Sequence, residues 1–82
     1  MSTVREVVEV LARALTDRHD EIRVVETDRH GTTLVELWVS PSEVGRVIGK
    51  QGRTAAALRT LAATAGEKLG KTVTLEIRDG RS

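Results

Sequence analysis

The spacing of the apolar residues changes several times along this chain of 82 residues, and these changes constrain its fold more than any other feature. Over residues 3–18, apolar side chains recur every three or four positions, which predicts an amphipathic α-helix. Thr3 and Glu6 have the spacing of a capping box that would start this helix. Residues 22–27 and 33–40 instead are rich in β-branched side chains or alternate apolar with polar ones, which predicts two β-strands.

Two helices and a strand are predicted after the second strand. Pro41 stops that strand and can open a short helix that reaches about Ile48. A four-residue loop follows, and residues 53–69 then show the alanine-rich pattern of a long helix. Alternation returns over residues 72–77 and predicts a third strand, followed by a polar tail from about residue 79. The predicted order of elements is therefore α-β-β-α-α-β.

This order predicts an α+β fold in which residues 1–82 form a single domain. A chain of this length has room for only one hydrophobic core. Residues 28–31 contain turn formers and a glycine, so a hairpin should make the first two strands antiparallel. The helix pair that follows is a crossover, which lets the second and third strands pair in parallel. We expect a three-stranded mixed sheet with three helices on one face and the other face open.

Positive charge is local in this chain, although the net charge is only +1. Residues 44–65 carry four basic side chains and no acidic one, whereas the rest of the chain holds nine basic and twelve acidic residues. A basic segment of this kind is the electrostatic feature that a nucleic acid requires. The absence of cysteine excludes disulfides and thiolate metal sites. Together with the lack of an apolar run near the N-terminus, it predicts a cytoplasmic protein with no membrane contact.

The loop from Gly49 to Gly52 is the strongest candidate for a functional site. Glycine permits backbone conformations that are closed to other residues and lets another backbone approach closely. The loop also opens a helix, whose free N–H groups favour an anion such as phosphate. Lys50, Arg46 and Arg53 add positive charge around it. A simple turn between two helices is the alternative interpretation.

Several other kinds of site do not match the sequence. A P-loop requires G-x-x-x-x-G-K-[ST], but only three residues separate Gly45 from Gly49, and Gln51 stands where the hydroxyl residue belongs. The dinucleotide fingerprint G-x-G-x-x-G is also absent. His19 and His30 lack a third ligand at metal spacing. No catalytic arrangement is indicated, so we expect no enzyme activity, metal or cofactor.

The segment Val47-Ile48-Gly49-Lys50-Gln51-Gly52-Arg53, between two predicted helices, resembles the signature loop of the KH domain. The order of elements resembles the bacterial, type II form of this domain, and the resemblance extends over nearly the whole chain. Small, free-standing bacterial KH proteins that bind RNA are similar in length and in their N-terminal helix. The resemblance implies that the loop grips the backbone of single-stranded RNA while the bases lie in an adjoining groove.

This resemblance also implies which residues contact RNA. Phosphates would be held by Gly49, Lys50, Gln51 and Gly52, with Arg46 and Arg53 adding charge. The groove under the bases would be lined by Val44, Val47, Ile48, Thr54, Ala55 and Leu58, with Val35 and Leu37 as a floor. Because the chain has no Phe or Tyr to stack on bases, we expect broadly specific binding with a Kd in the micromolar range or weaker, roughly −8 kcal/mol.

Partners are implied as well. The resemblance suggests a post-transcriptional regulator or RNA chaperone linked to cell growth, division and shape, which acts with a larger KH-containing bacterial protein. A protein-interaction module that has kept only the fold is the alternative, and the intact loop argues against it. On the open sheet face, Trp38 and Leu34 could contact a protein partner, because aromatic residues are enriched at interface hot spots. The alanine-rich helix could also form a homodimer through its small residues.

Overall fold

The computed structural model describes residues 3–80, apart from the side chain of Thr3. Its elements are α1 (Thr3–Leu15), β1 (Arg23–Arg29), β2 (Thr32–Val39), α2 (Val44–Ile48), α3 (Arg53–Lys68) and β3 (Thr72–Asp79). Two single 3₁₀ turns, His19–Glu21 and Lys50–Gly52, lie between them. The predicted α-β-β-α-α-β order is confirmed. The predicted N-cap side chain of Thr3 and the last two residues of the polar tail lie outside what the structure describes.

Helix α1 ends three residues earlier than its apolar pattern predicted. The backbone N–H groups of Asp17 and Arg18 donate to the carboxylate of Glu43, each over 2.7 Å, instead of continuing the helical ladder. The Nε2 atom of His19 lies 2.7 Å from the carbonyl oxygen of Thr16, where it satisfies an acceptor beyond the last turn. Long-range hydrogen bonds therefore determine where α1 stops.

The hairpin between β1 and β2 is tighter than predicted. Both strands extend toward each other and leave only His30 and Gly31 in the turn. Their φ angles, 50° and 82°, are both positive, as in the two-residue turns that match the twist of antiparallel strands. The predicted hairpin is confirmed, and its turn is narrowed to the last two residues of the predicted segment 28–31.

The sheet is mixed, with strand order β1-β2-β3. β1 and β2 pair antiparallel, with Val24 opposite Leu37. β2 and β3 pair in parallel, with Val35 opposite Leu75. This parallel pairing follows from the crossover through α2 and α3, and the strand order leaves β3 at an edge of the sheet.

The core lies between one face of the sheet and the helices. It consists of aliphatic side chains: Val4, Val8, Ala12, Val24, Val35, Leu37, Val39, Val47, Leu58, Ala62 and Leu75. Gly66 is buried in α3, and a Cβ atom there would overlap the side chain of Val73 on β3. Glycine at this position lets the helix approach the edge of the sheet closely.

The opposite face of the sheet carries the alternate residues of each strand. Trp38 lies there opposite Arg23 of β1 and Arg78 of β3. The two guanidinium carbons lie 5.1 Å and 5.9 Å from the centre of the indole ring, within the range of cation–π contacts. Leu34, four residues away on the same strand and on the same face, is half-buried like Trp38.

Candidate nucleic-acid interface

The loop between α2 and α3 owes its shape to backbone conformations that favour glycine. Gly49, Gln51 and Gly52 have φ angles of 76°, 57° and 72°. The N–H of Gly49 donates to the carbonyl of Gly45 over 2.9 Å and ends α2, and the N–H of Gly52 donates to the carbonyl of Gly49 over 3.1 Å. No side chain caps the start of α3. The backbone N–H groups in the first turn of α3 therefore have no side-chain acceptor.

The two loop glycines are required for different reasons. A Cβ atom on Gly49 would overlap the side chain of Thr54, in addition to the strain of its positive φ. A Cβ atom on Gly52 would meet nothing within 4 Å, so only its φ of +72° demands glycine. Gly49 is thus needed for internal packing, whereas the space beside Gly52 is open to an approaching molecule.

The side chains of the loop point their charge into solvent. Lys50, Gln51 and Arg53 are exposed. Among residues 3–80, no carboxylate forms an ion pair with Lys50 or Arg53. Two positive charges without an ion-pair partner therefore stand within two residues of Gly52 in the chain.

Arg46, also predicted to contact RNA, is engaged elsewhere. Its Nη1 donates to the carboxylate of Asp17 over 2.9 Å and to that of Glu43 over 3.2 Å. The hydrogen bond and charge of Asp17, with a further contribution from Glu43, raise the pKa of Arg46 above its ordinary value. The guanidinium of Arg46 thus pairs with carboxylates near the end of α1 and the start of α2, although its side chain is 57% exposed.

The predicted groove residues divide into two groups. Val47, Ala55 and Leu58 are 0%, 2% and 3% exposed and belong to the interior, so a base has no access to them. The proposed floor, Val35 and Leu37, is likewise fully buried beneath the helices. Partly exposed members of the predicted set are Val44, Ile48 and Thr54.

A groove absent from the sequence prediction runs between α3 and the edge strand β3. Its volume is about 410 Å³, and it is lined by Arg59, Thr60, Ala63, Val73, Thr74, Leu75 and Glu76. Ala56, Arg59 and Ala63 fall on one face of α3, because residues three or four apart are neighbours on a helix, and Gly52 directly precedes the first residue of that helix. This face connects the loop to the groove. The sequence pointed to this groove only through Arg59, one of the four basic residues in the segment 44–65, which contains no acidic residue.

Two further surfaces are recessed. One, at the end of the sheet, has a volume of about 320 Å³ and is lined by Asp20, Glu21, Ile22, Arg23, Trp38 and Gly80. The other, between α1 and α3, has a volume of about 310 Å³ and is lined by Val7, Leu61, Thr64, Ala65, Lys68 and Leu69. Leu61 and Leu69 are each 47% exposed, which is unusual for leucine. This second surface is called the leucine depression below.

Neither a cluster of metal ligands nor a membrane-spanning helix occurs within residues 3–80. No three His, Asp or Glu side chains in that range converge as metal ligands. None of the helices there is both long enough and apolar enough to cross a membrane.

The mixed sheet, the helix pair and the glycine-bracketed loop between α2 and α3 define a type II KH domain. A family model described as "KhpA/KhpB, KH domain" matches residues 5–77, and this chain belongs to that family. It is 49% identical over 77 residues to the RNA-binding protein KhpA of Aquifex aeolicus, covering 94% of this chain and 98% of that protein. It is 43% identical over 79 residues to the RNA-binding protein KhpA of Mycobacterium bovis, covering 95% of this chain and 94% of that protein.

A solved structure has the same fold at lower sequence identity. The chain is similar to part of Era, crystallised with MgGDPNP and nucleotides 1506–1542 of 16S ribosomal RNA, with a TM-score of 0.63 and 22% identity. The match covers 93% of this chain but only 29% of that one. At this identity, the similarity concerns the fold alone.

Proposed function

We propose that this protein binds single-stranded RNA and holds its backbone phosphates at the loop from Gly49 to Gly52. The observation that carries the proposal is the open side of Gly52, together with the exposed, unpaired charges of the nearby Lys50 and Arg53 and the lack of a side-chain cap at the start of α3. The relatives from Aquifex aeolicus and Mycobacterium bovis are both named RNA-binding proteins, which supports the same role here.

The chemistry of this loop suits a phosphate backbone. An oxyanion beside Gly52 gains the positive end of the α3 dipole and the free N–H groups of its first turn, which do not include that of Arg53, since this N–H donates to the carbonyl of Lys50. Lys50 and Arg53 replace counterions of the RNA, so affinity should fall with salt. Gln51 is exposed and offers an amide that donates hydrogen bonds to phosphate oxygens. None of these contacts with phosphate distinguishes one base from another.

The bases in this proposal follow the exposed face of α3 toward the groove against β3. Val44, Ile48 and Thr54 border the loop, whereas the buried predicted residues support it from beneath. No aromatic side chain lines the groove, so contacts with the bases are aliphatic or polar. We therefore keep the expectation of a Kd in the micromolar range or weaker for one copy of the domain.

The loop variant Lys50→Asp with Gln51→Asp tests this proposal by fluorescence anisotropy with a labelled ten-nucleotide single-stranded RNA. The matched control is Arg29→Asp with His30→Asp, which changes the net charge by the same amount at the hairpin. That hairpin lies beside the start of β3 and therefore near the C-terminal end of α3. The glycine loop lies at the N-terminal end of the same helix. Wild type and control should bind with salt-dependent affinity, and the loop variant should bind at least tenfold more weakly. Equal binding by all three proteins would refute the loop as the site.

A wider role follows from the family. We place the protein in the cytoplasm as a post-transcriptional regulator or RNA chaperone linked to growth, division and cell shape, with a larger KhpB-like KH protein as partner. The shared KhpA/KhpB family model supports this pairing. Co-purification of a tagged copy with the KhpB-like protein, retained after RNase treatment, would support a direct contact. Its absence in both conditions would argue against the partner.

A role centred on protein contacts is the second candidate function. Trp38 and Leu34 form a half-buried patch on the open sheet face, although Arg23 and Arg78 already contact the indole ring. The leucine depression is the better surface for a second copy of this chain, because two half-exposed leucines border an apolar recess. A homodimer through α3 is compatible with RNA binding, since the loop and the groove remain free.

A further inference from the structure

We propose that Asp17 restrains RNA binding by this protein, because its carboxylate occupies Arg46, an arginine placed to contact a phosphate next to the loop. This inference rests on the RNA binding proposed above. Arg46 belongs to α2 and stands three positions before Gly49, where that helix ends. With a rise of 1.5 Å per residue, it lies roughly 4.5 Å along the helix from the loop. Its Nη1 atom donates to the carboxylate of Asp17 over 2.9 Å and to that of Glu43 over 3.2 Å.

The two carboxylates hold Arg46 in different ways. Glu43 is buried, and its oxygens also accept hydrogen bonds from the backbone N–H groups of Asp17 and Arg18, so this carboxylate is fixed in place. The side chain of Asp17 is 81% exposed, and within residues 3–80 its carboxylate has no ion-pair partner besides Arg46. Exposed ion pairs are weak, because water solvates both charges and salt screens them. The contact with Asp17 can therefore be exchanged for another oxyanion while the contact with Glu43 persists.

Arg46 keeps hydrogen-bond donors for a phosphate. Arginine has five N–H donors in a planar fork. Among the contacts within residues 3–80, only Nη1 of Arg46 donates a hydrogen bond, so its Nε and Nη2 atoms stay available on a half-exposed side chain. Two parallel donors of this kind bind phosphate in a bidentate manner. Asp17 repels phosphate from the same place, since its charge lies well within the screening length of about 10 Å at 0.1 M ionic strength.

An RNA strand held at the loop has one end near α2. KH loops clamp the backbone of about four nucleotides. In the RNA binding proposed above, one end of this strand follows α3 away from the loop. The other end leaves the loop where α2 enters it, and Arg46 is the basic residue in the last turn of that helix. A phosphate on this side of the loop therefore competes with Asp17 for the guanidinium.

The experiment measures RNA affinity and its salt dependence for wild type, Asp17→Asn, Arg46→Gln and the double variant, by anisotropy with the labelled ten-nucleotide RNA. Asp17→Asn keeps the size of the side chain and the backbone N–H that donates to Glu43, but it removes the charge. It should bind RNA about threefold more tightly at low salt. The slope of log affinity against log salt should steepen by about 0.7, the value for one further phosphate contact on a single strand. In the Arg46→Gln background, Asp17→Asn should change the affinity by less than about 1.5-fold.

Asp20→Asn is the matched control, because it makes the same change in charge at an exposed carboxylate that faces Arg18 instead. It should leave the affinity within about 1.5-fold of wild type. Unchanged or weaker binding by Asp17→Asn would overturn the restraint, and so would an equal gain in Asp20→Asn or in the Arg46→Gln background. Each of these results leaves the loop as the phosphate site if the loop variant still fails to bind. Absence of RNA binding by wild type would instead refute both proposals. Thermal unfolding of each variant verifies that the compared proteins are folded.

Discussion

The carboxylate of Glu43 accepts a hydrogen bond from the backbone N–H of Asp17 over 2.7 Å, although 26 positions separate the two residues in the chain. Glu43 is only 6% exposed, and it also accepts from the N–H of Arg18 and from the guanidinium of Arg46. This one side chain therefore joins the end of α1 to the start of α2, the helix that leads into the loop.

Replacing Glu43 should destabilise the fold. Glu43→Ala leaves two backbone N–H groups without their acceptor and removes a partner of Arg46, so the free energy of unfolding should drop by about 3 kcal/mol. Glu67→Ala, at an exposed position of α3, is the control and should change it by less than about 0.5 kcal/mol. Urea unfolding measures both. A loss below about 1 kcal/mol for Glu43→Ala would contradict the bridging role.

Two glycine-to-alanine substitutions in helices should have opposite effects. Gly66→Ala forces a methyl group against Val73 and should cost about 2 kcal/mol, despite the better helix propensity of alanine. Gly45→Ala in α2 meets nothing within 4 Å and should stabilise the protein by up to about 1 kcal/mol. Thermal and urea unfolding distinguish these changes. Similar effects of the two substitutions would show that close packing of α3 against β3 is not what requires Gly66.

The two loop glycines should also respond differently. Gly52→Ala strains only its own backbone and should cost about 1–2 kcal/mol of stability while it weakens RNA binding, because the methyl group occupies the open side of the loop. Gly49→Ala adds the overlap with Thr54 and should cost more stability than Gly52→Ala. Urea unfolding and anisotropy on both variants provide the comparison. Full RNA affinity in folded Gly52→Ala would contradict close approach of the backbone at Gly52.

Self-association should depend on the leucine depression. At high concentration, the mass from light scattering should rise from the 8.9 kDa of one chain toward twice that value. Leu61→Glu introduces a charge into the depression and should keep the protein monomeric, whereas Thr74→Glu, at an exposed position on β3, should not. A wild-type protein that stays at 8.9 kDa up to millimolar concentration would exclude the homodimer.

Much of the fold could be predicted because it depends on local periodicity. Burial alternates along β2, so the inward positions of Val35, Leu37 and Val39 and the outward position of Trp38 followed from the pattern. The parallel pairing of β2 with β3 followed from the crossover. Boundaries were less accurate: the end of α1 depends on Glu43, which contacts it across more than twenty residues of chain.

The candidate site could be predicted only in part. The glycines of the loop were identifiable because their conformational role is local, and the structure confirms positive φ at Gly49 and Gly52. The pairing of Arg46 with Asp17 was not, since both residues appear in the sequence as ordinary surface charges. Sequence periodicity also could not separate an apolar residue that lines a groove from one, such as Leu58, that lies in the core.

The location of the RNA site can be measured directly by two-dimensional ¹H–¹⁵N NMR during titration with the ten-nucleotide RNA. If the loop holds the RNA backbone, the amide signals of residues 49–53 should shift most, followed by those of the α3 face that leads to Arg59, while the hairpin at His30 and Gly31 stays unchanged. Shifts centred on Trp38 and Leu34, with the loop unaffected, would contradict RNA binding at the loop and would assign the interaction to the open face of the sheet.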